Sequence, residues 1–528
     1  MKQVFEKKNV PALVIGIICI LQLAVSFFYG SQKSFLTNDE LFAYGKANNS
    51  SEILMDIQLN EWLDESDFLD YVTPGTNAFC YDVPYQNQIG GASPVLYFML
   101  LHTASSLCSN EFSFWAGIGI NMILLLGCTL VLYFLSKELF SDNVCALLIC
   151  GCFSSTYGAL NTMLYIQVYM MLALIFLLHM LVYAKYCEQS EVKIKGYFFL
   201  GMTLVIGNLI HYYFMFFAAL LTFWYIIKWV YSKKWKTIRD YLVTVGASLL
   251  ISLRLFPDMW NQIYYGSLKT QVQNVLLYFN MKEYLKKLYQ MFGFINKQVF
   301  QGFLWLILPI LFVLLLIYAI RNKGEAWKEL EKVFPVIFVT MGYFFLVALI
   351  VPDPVDYHMM PLYPVVFLLA IGLLYWLIKN ISKKIMIGKH ITVIISLTIC
   401  FFICIPTMRG IVPYYSFWEN RQHVELMHQY ADRKAVYIDR EFCWEEYYDI
   451  VQLMKEVDEY YMISYAQIVQ WEIDAALEET ADDDEIIVIV GNSALDDEIT
   501  AYIQETVQAE KMVFLDQYKR WTIYRAMR

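Results

Sequence analysis

Thr37-Asn38-Asp39-Glu40-Leu41-Phe42-Ala43-Tyr44-Gly45 follows closely on the first long apolar run of the chain, residues 10–29. Two adjacent acids in the first loop of a many-times-crossing chain are poorly explained by folding. A carboxylate at the membrane–water boundary is what an enzyme needs to deprotonate an acceptor while its other substrate stays in the bilayer. Asp39 and Glu40 are therefore the leading catalytic candidates, as a general base and a neighbour that orients it or holds a cation. The competing reading is a solvated loop or an Asn-Asp turn.

The rest of the composition fits a membrane protein. Of 528 residues, 59% are hydrophobic and only 17% charged, against about a quarter charged in soluble domains. Lys2, Lys7 and Lys8 precede the run at 10–29, and no small-residue cleavage site follows it, so the run reads as an uncleaved signal anchor. Of eleven cysteines only Cys80 and Cys443 fall in soluble segments, and no CxxC spacing occurs. Neither a zinc site nor a disulfide framework is indicated, although a Cys80–Cys443 bridge stays open.

A spanning helix needs about 20 apolar residues. Eleven segments qualify, at about 10–29, 112–135, 143–160, 164–183, 196–211, 212–231, 241–257, 302–320, 333–351, 361–378 and 391–408. The apolar stretch 94–108 is shorter and contains His102. Basic clusters follow at Lys185/Lys193/Lys195, Lys228–Arg239, Arg321–Lys332 and Lys379–Lys389. All lie on the cytoplasmic side with the N-terminus if 94–108 does not cross, as the positive-inside rule requires. That stretch is thus expected to be interfacial or re-entrant, within one external loop of about 30–111. The loops 258–300 and 352–360 and the tail from about 410 are then external too.

From Glu419 onward there are 25 acidic and 10 basic residues, a net of −15, while the remainder carries +5. The tail alternates β-branched runs, at 434–439, 460–464, 485–491, 511–516 and 520–526, with helical patterns at 443–456, 465–478 and 494–508. The expected architecture is a polytopic α-helical membrane domain, 1–410, followed by a small acidic extracytoplasmic α/β domain, 411–528, that folds independently.

Further candidates lie on the same external face. Asp82 and Tyr85 precede Pro94, which suits a first helical turn, and Tyr97 lies just beyond it as a candidate for the active-site floor. Gln167 and Tyr169 sit near a helix end, where capping and interfacial aromatics compete as explanations. His211 and Tyr212 occupy a turn between two helices, and an ionisable residue at that depth is a functional candidate by default. Asp356 and His358 lie in a proline-rich loop, where His358 or its neighbours are expected to meet a lipid phosphate by hydrogen bonding or charge. A plain turn or a structural histidine is the alternative at each.

Together these residues resemble the GT-C superfold of lipid-dependent glycosyltransferases. The chain is similar to glycosyltransferase family 39 and the dolichyl-phosphate-mannose–protein mannosyltransferase-like group, including bacterial aminoarabinose-transferase relatives. That family's Asp-Glu matches Asp39-Glu40, and its Pro-Pro-Leu-Tyr segment matches Ser93-Pro94-Val95-Leu96-Tyr97 with one proline lost. Its Gly-Arg-Arg-Leu-Phe-like turn matches Leu135–Phe140. Its Ala-Arg-Met-Tyr segment aligns with Ile166–Tyr169, its Thr-His-Tyr segment with Ile210-His211-Tyr212, and its Arg-Tyr-x-x-Pro segment with Tyr357–Pro361. The family arginines are replaced at Gln167 and Tyr357. The resemblance covers residues 1–410.

The resemblance implies transfer of a sugar from a polyprenyl-phosphate donor to a cell-surface glycan, lipid or protein acceptor at the plasma membrane. Asp39 would take the acceptor proton, and a single displacement would invert the anomeric centre. Phosphate leaves readily, so one acid suffices, unlike in two-carboxylate glycoside hydrolysis. A divalent metal is open, with no ligand set legible, and no nucleic-acid partner is expected. The rival class is a lipid or polysaccharide transporter or flippase, which would want repeated halves and mid-membrane charges. Arg254 comes nearest to such a charge, and no repeat is seen. A third class is a sensor with an external receptor domain.

Overall fold

The computed structural model describes residues 10–49, 55, 60–91, 93–108, 111–189, 191–322, 330–384, 398, 401, 411–439, 444–464, 480, 483–491 and 511–527. The chain is mostly helical, with a small sheet near its C-terminus, and packs as two compact units. One unit draws on 1–31, 88–100 and 117–413, the other on 32–87, 101–116 and 414–528.

In the first unit, Val10–Gly30, Phe114–Phe140, Tyr169–Cys187, Tyr213–Tyr231 and Met360–Ile381 are long and apolar enough to cross a membrane. Three bent pairs raise the number to eight among the described residues if each pair is one span. Ile194–Ile210 and Phe334–Ile350 are shorter apolar helices, and the expected span at 391–408 lies outside the described residues except for 398 and 401. Met360–Ile381 is almost wholly buried, whereas Val10–Gly30 exposes Leu13, Ile20 and Phe27. Apolar side chains on an outer helix suit lipid, where no water is displaced from them on packing. The chain is thus a multi-pass membrane protein.

Two segments differ from expectation. The single span expected at 143–160 is two helices, Asn143–Phe153 and Tyr157–Leu164, meeting at 55°. Ser154-Ser155-Thr156 explains the break. Thr156 Oγ1 bonds to Phe153 O at 2.8 Å and accepts from Ala159 N at 3.2 Å, so it ends one helix and caps the next. Short hydroxyl side chains compete with the helical ladder in this way. The external loop expected at 258–300 is helical, as Met259–Tyr265, Ser267–Tyr278 and Met281–Phe300.

The second unit is built on a six-stranded sheet: β1 (Trp62–Leu63), β2 (Lys434–Asp439), β3 (Glu459–Ser464), β4 (Glu485–Gly491), β5 (Lys511–Tyr518) and β6 (Trp521–Met527), in the order β1-β3-β2-β4-β6-β5. β3, β2 and β4 run parallel; β6 and β5 follow antiparallel, with a register shift between Phe514 and Asp516. Consecutive residues of β2 and β4 are buried on both faces, for example Ala435, Val436, Ile487 and Val488. Parallel strands covered on both sides read as unbroken apolar runs, which is why the sequence showed them. Helix Trp444–Met454 matches expectation; the helices expected at 465–478 and 494–508 lie outside the described residues.

The tail does not make this sheet alone. β1 comes from the first loop and pairs antiparallel with β3, Trp62 opposite Tyr461. Trp62 also packs on the core formed by Val436, Ile438, Ile463, Ile486 and Val488. The structure therefore groups most of the first loop with the tail, where the sequence placed a boundary at 410.

Candidate functional site

The quoted motif folds as helix Asn38–Asn48 in the second unit, with Thr37 as its N-cap. Thr37 Oγ1 accepts from Glu40 N at 3.2 Å, and Glu40 Oε2 accepts from Thr37 N at 2.8 Å. This is a capping box, which satisfies two donors that a helix start leaves open. The other oxygen of Glu40 accepts from Lys33 Nζ at 2.8 Å, with both side chains wholly buried. Lys33 Nζ also donates to Tyr415 O at 2.7 Å. Burial pulls the Lys33 ammonium below its ordinary range, and Glu40 opposes that pull.

Adjacent helical residues point about 100° apart. Glu40 therefore faces the interior while Asp39 is exposed. Of the two acids proposed from sequence, Glu40 is buried with both oxygens engaged in holding the helix start, and Asp39 is exposed. Burial also lowers the Lys46 ammonium, and the Asp39 carboxylate acts against this.

The far end of the helix is fixed as closely. A Cβ at Gly45 would lie 2.2 Å from the Tyr71 ring, so glycine admits that tyrosine. Asn48 Nδ2 donates to Val72 O at 2.6 Å, and His102 Nδ1 lies 2.9 Å from Ala47 O and 3.2 Å from Asn48 Oδ1. His102 sits in Leu96–Ser106, which spans roughly 16 Å at 1.5 Å per residue and is too short to cross a bilayer core of about 30 Å. Asp82 is exposed and accepts from Gln86 Nε2 at 3.2 Å. Tyr85 is half-buried, at the end of the same short helix Asp82–Gln86.

The remaining candidates belong to the first unit. Tyr97 is fully buried. Tyr169, His211 and His358 come together. Tyr165, Tyr169 and Tyr357 form a near-parallel stack, with centroids 5.1–5.8 Å apart and interplanar angles of 8–28°. His211 lies 6.1 Å from Tyr169, and Tyr213 joins His211 at 4.7 Å to His358 at 6.2 Å. Tyr165, Tyr213 and Tyr357 were missed as site residues; their spacing from Tyr169, His211 and His358 was the available signal. Gln167 is half-buried beside Tyr165, its N–H donating to Tyr165 O at 2.8 Å.

Asp356 Oδ2 accepts from Gln298 Nε2 at 3.0 Å, and Gln298 Oε1 accepts from Asn161 Nδ2 at 2.8 Å. Tyr212 donates to Gln262 Oε1. His358 Nδ1 lies within 3.2 Å of both backbone polar groups of Val355. Burial pushes His358 down to about 4, against a weaker upward pull from Val355. The surroundings therefore favour the neutral imidazole. Among the described residues no group of three or more His, Cys, Asp or Glu is arranged to hold a metal ion.

The chain shares a GT-C-like fold with ArnT. No protein-family model and no curated protein matches the sequence. ArnT from Cupriavidus metallidurans bound to undecaprenyl phosphate aligns with a TM-score of 0.54 and 9% identity, over 97% of each chain. Apo ArnT from that organism aligns at 0.53 with 8% identity, again over 97% of each chain. The archaeal oligosaccharyltransferase AglB from Archaeoglobus fulgidus, with an inhibitory peptide and dolichol-phosphate, covers 98% of this chain and 74% of its own at 0.46 and 11% identity. That last likeness is too distant to argue from.

Proposed function

We propose that this chain is a membrane glycosyltransferase that moves a sugar from a polyprenyl-phosphate carrier to a glycan, lipid or protein acceptor on the external face. The observation that carries the reading is Asp39: an exposed carboxylate on the first turn of a helix whose start is fixed by a capping box and a buried ion pair. The fold shared with ArnT, solved with undecaprenyl phosphate bound, supports the carrier class.

In the proposed step the acceptor O–H gives its proton to Asp39 as its oxygen bonds to the anomeric carbon. The bond from that carbon to the carrier phosphate breaks, and the carrier phosphate leaves with the electron pair. One displacement inverts the anomeric centre. Positioned bases contribute about 10²–10⁴-fold, and a pre-set carboxylate keeps reorganisation small. Within the first unit, Tyr169, His211 and His358 are proposed as ring and hydrogen-bonding contacts for the carrier.

The test is purified protein with a panel of polyprenyl-phosphate sugars, scored for sugar transfer. Asp39→Asn keeps the shape and removes the base, so the rate should fall by at least about 10²-fold, with melting unchanged. A variant that turns over normally would move the base elsewhere, Asp82 being next. No transfer from any donor would reject the reading.

A further inference from the structure

The segment leading into the helix of Asp39 is gripped by residues from the other end of the chain. Ser34 N donates to Ser416 O at 3.0 Å, and Ser34 Oγ donates to Phe417 O at 2.6 Å. Lys33 reaches Tyr415 O, as above. Helix Trp444–Met454 supplies the most specific grip. Leu36 N donates to Gln452 Oε1 at 2.9 Å, while Gln452 Nε2 donates to Leu36 O at 3.2 Å and to Tyr448 O at 2.8 Å. One turn earlier, Tyr448 meets Phe42 edge-on at 4.9 Å.

Gln452 thus reads both backbone groups of Leu36 across 416 residues of sequence. Its side chain is 4% exposed and Leu36 is 1% exposed. A primary amide is the side chain that offers an acceptor and two donors together, and all three are used here. Gln452 fits neither the apolar core nor the solvated surface of its helix. Leu36 immediately precedes the N-cap Thr37, and Asp39 follows two residues after that cap. Whatever sets the backbone of Leu36 sets where the helix begins and where Asp39 projects.

We infer that Gln452 is a positioning residue for the general base, and that through it the C-terminal α/β segment takes part in catalysis. The inference rests on the assignment of Asp39 as that base. Small misplacements of a catalytic group, near 1 Å, cost about 10²-fold. The signature is a loss in kcat with donor binding kept.

The experiment compares Gln452→Leu and Gln452→Glu with wild type and Asp39→Asn, all as full-length protein with the donor found active above. For Gln452→Leu, kcat should fall by about 10-fold or more with the donor KM within about twofold. The Leu36 amide, read by hydrogen exchange, should open about 10-fold faster. Gln452→Glu keeps the acceptor for Leu36 N but has no donor for Leu36 O while ionised. Relative to wild type at the same pH, its rate should therefore be low at neutral pH and recover in part as pH falls and the carboxyl regains a proton. That acid recovery would not come from a generally loosened fold, and it holds the test open if Gln452→Leu fails to fold. A Gln452→Leu enzyme with kcat within twofold of wild type, beside an inactive Asp39→Asn, would overturn the inference. An unchanged Leu36 exchange rate would overturn it as well. If Asp39→Asn keeps its rate, the base assignment itself fails, and the catalytic role of Gln452 falls with it.

Discussion

The tyrosine–histidine cluster of the first unit and the carboxylate corner of the second are both built from residues far apart in sequence, but by different forces. The cluster is an arrangement of ring faces: Tyr165, Tyr169 and Tyr357 stacked, with His211, Tyr213 and His358 around them. The corner is an arrangement of charge and directed hydrogen bonds around Glu40, Lys33 and Leu36. Ring pairs each add about 0.5–1.5 kcal/mol beyond area burial and tolerate small shifts. A buried ion pair tolerates neither the loss of one partner nor a change in angle. The corner should therefore be the brittle region and the cluster the adaptable one.

The sharpest way to break this comparison is Lys33→Met. It leaves the buried Glu40 side chain without its cation, and removing one partner of a buried pair typically costs about 3–5 kcal/mol. Thermal unfolding of the solubilised protein should show a large loss. The double variant Lys33→Met with Glu40→Gln should recover much of it, because no buried charge remains. If the single variant melts like wild type, the pair is not dry, and the corner is no stiffer than the cluster.

A pH titration probes the cluster with an intermediate effect. His358 is an ordinary imidazole in the unfolded chain, near 6.5, and is held down to about 4 in the folded protein. The folded state therefore disfavours the charged form. The stability this gives is complete above about pH 6.5 and is lost as pH falls toward 4. His358→Gln should flatten that part of the profile. A profile identical in the two proteins would show that His358 is solvated.

Tyr169→Phe carries the smallest effect. The stack survives and only a hydroxyl is lost, so stability should change by less than about 0.5–1.5 kcal/mol, the scale of one hydrogen bond. Transfer measured at saturating and limiting donor is the check: a rise in KM alone would assign the hydroxyl to carrier binding. A collapse in melting temperature would instead make the cluster as brittle as the corner.

Much was legible in advance because it depends on local composition. An apolar run long enough to span is an apolar helix wherever it packs. The spans at 10–29, 212–231 and 361–378 accordingly reappear as Val10–Gly30, Tyr213–Tyr231 and Met360–Ile381. β2 and β4 were readable for the same reason, since strands covered on both faces show as unbroken β-branched runs. The break at Ser154-Ser155-Thr156 is local too: a hydroxyl cap set within an apolar stretch.

What the sequence by itself determined was a polytopic helical protein with a small α/β segment and an acidic pair after its first helix. Only the tertiary structure decided the division of labour within that pair. Helical geometry turned Asp39 outward and Glu40 inward, and Lys33, seven residues earlier, closed on the buried acid. It also decided that two residues of the first loop, Trp62 and Leu63, complete the C-terminal sheet. The same holds for the grip of Gln452 on Leu36. Composition and periodicity report on a residue's near neighbours along the chain. A hydrogen bond across 416 residues depends on how distant elements pack, and no local pattern encodes that.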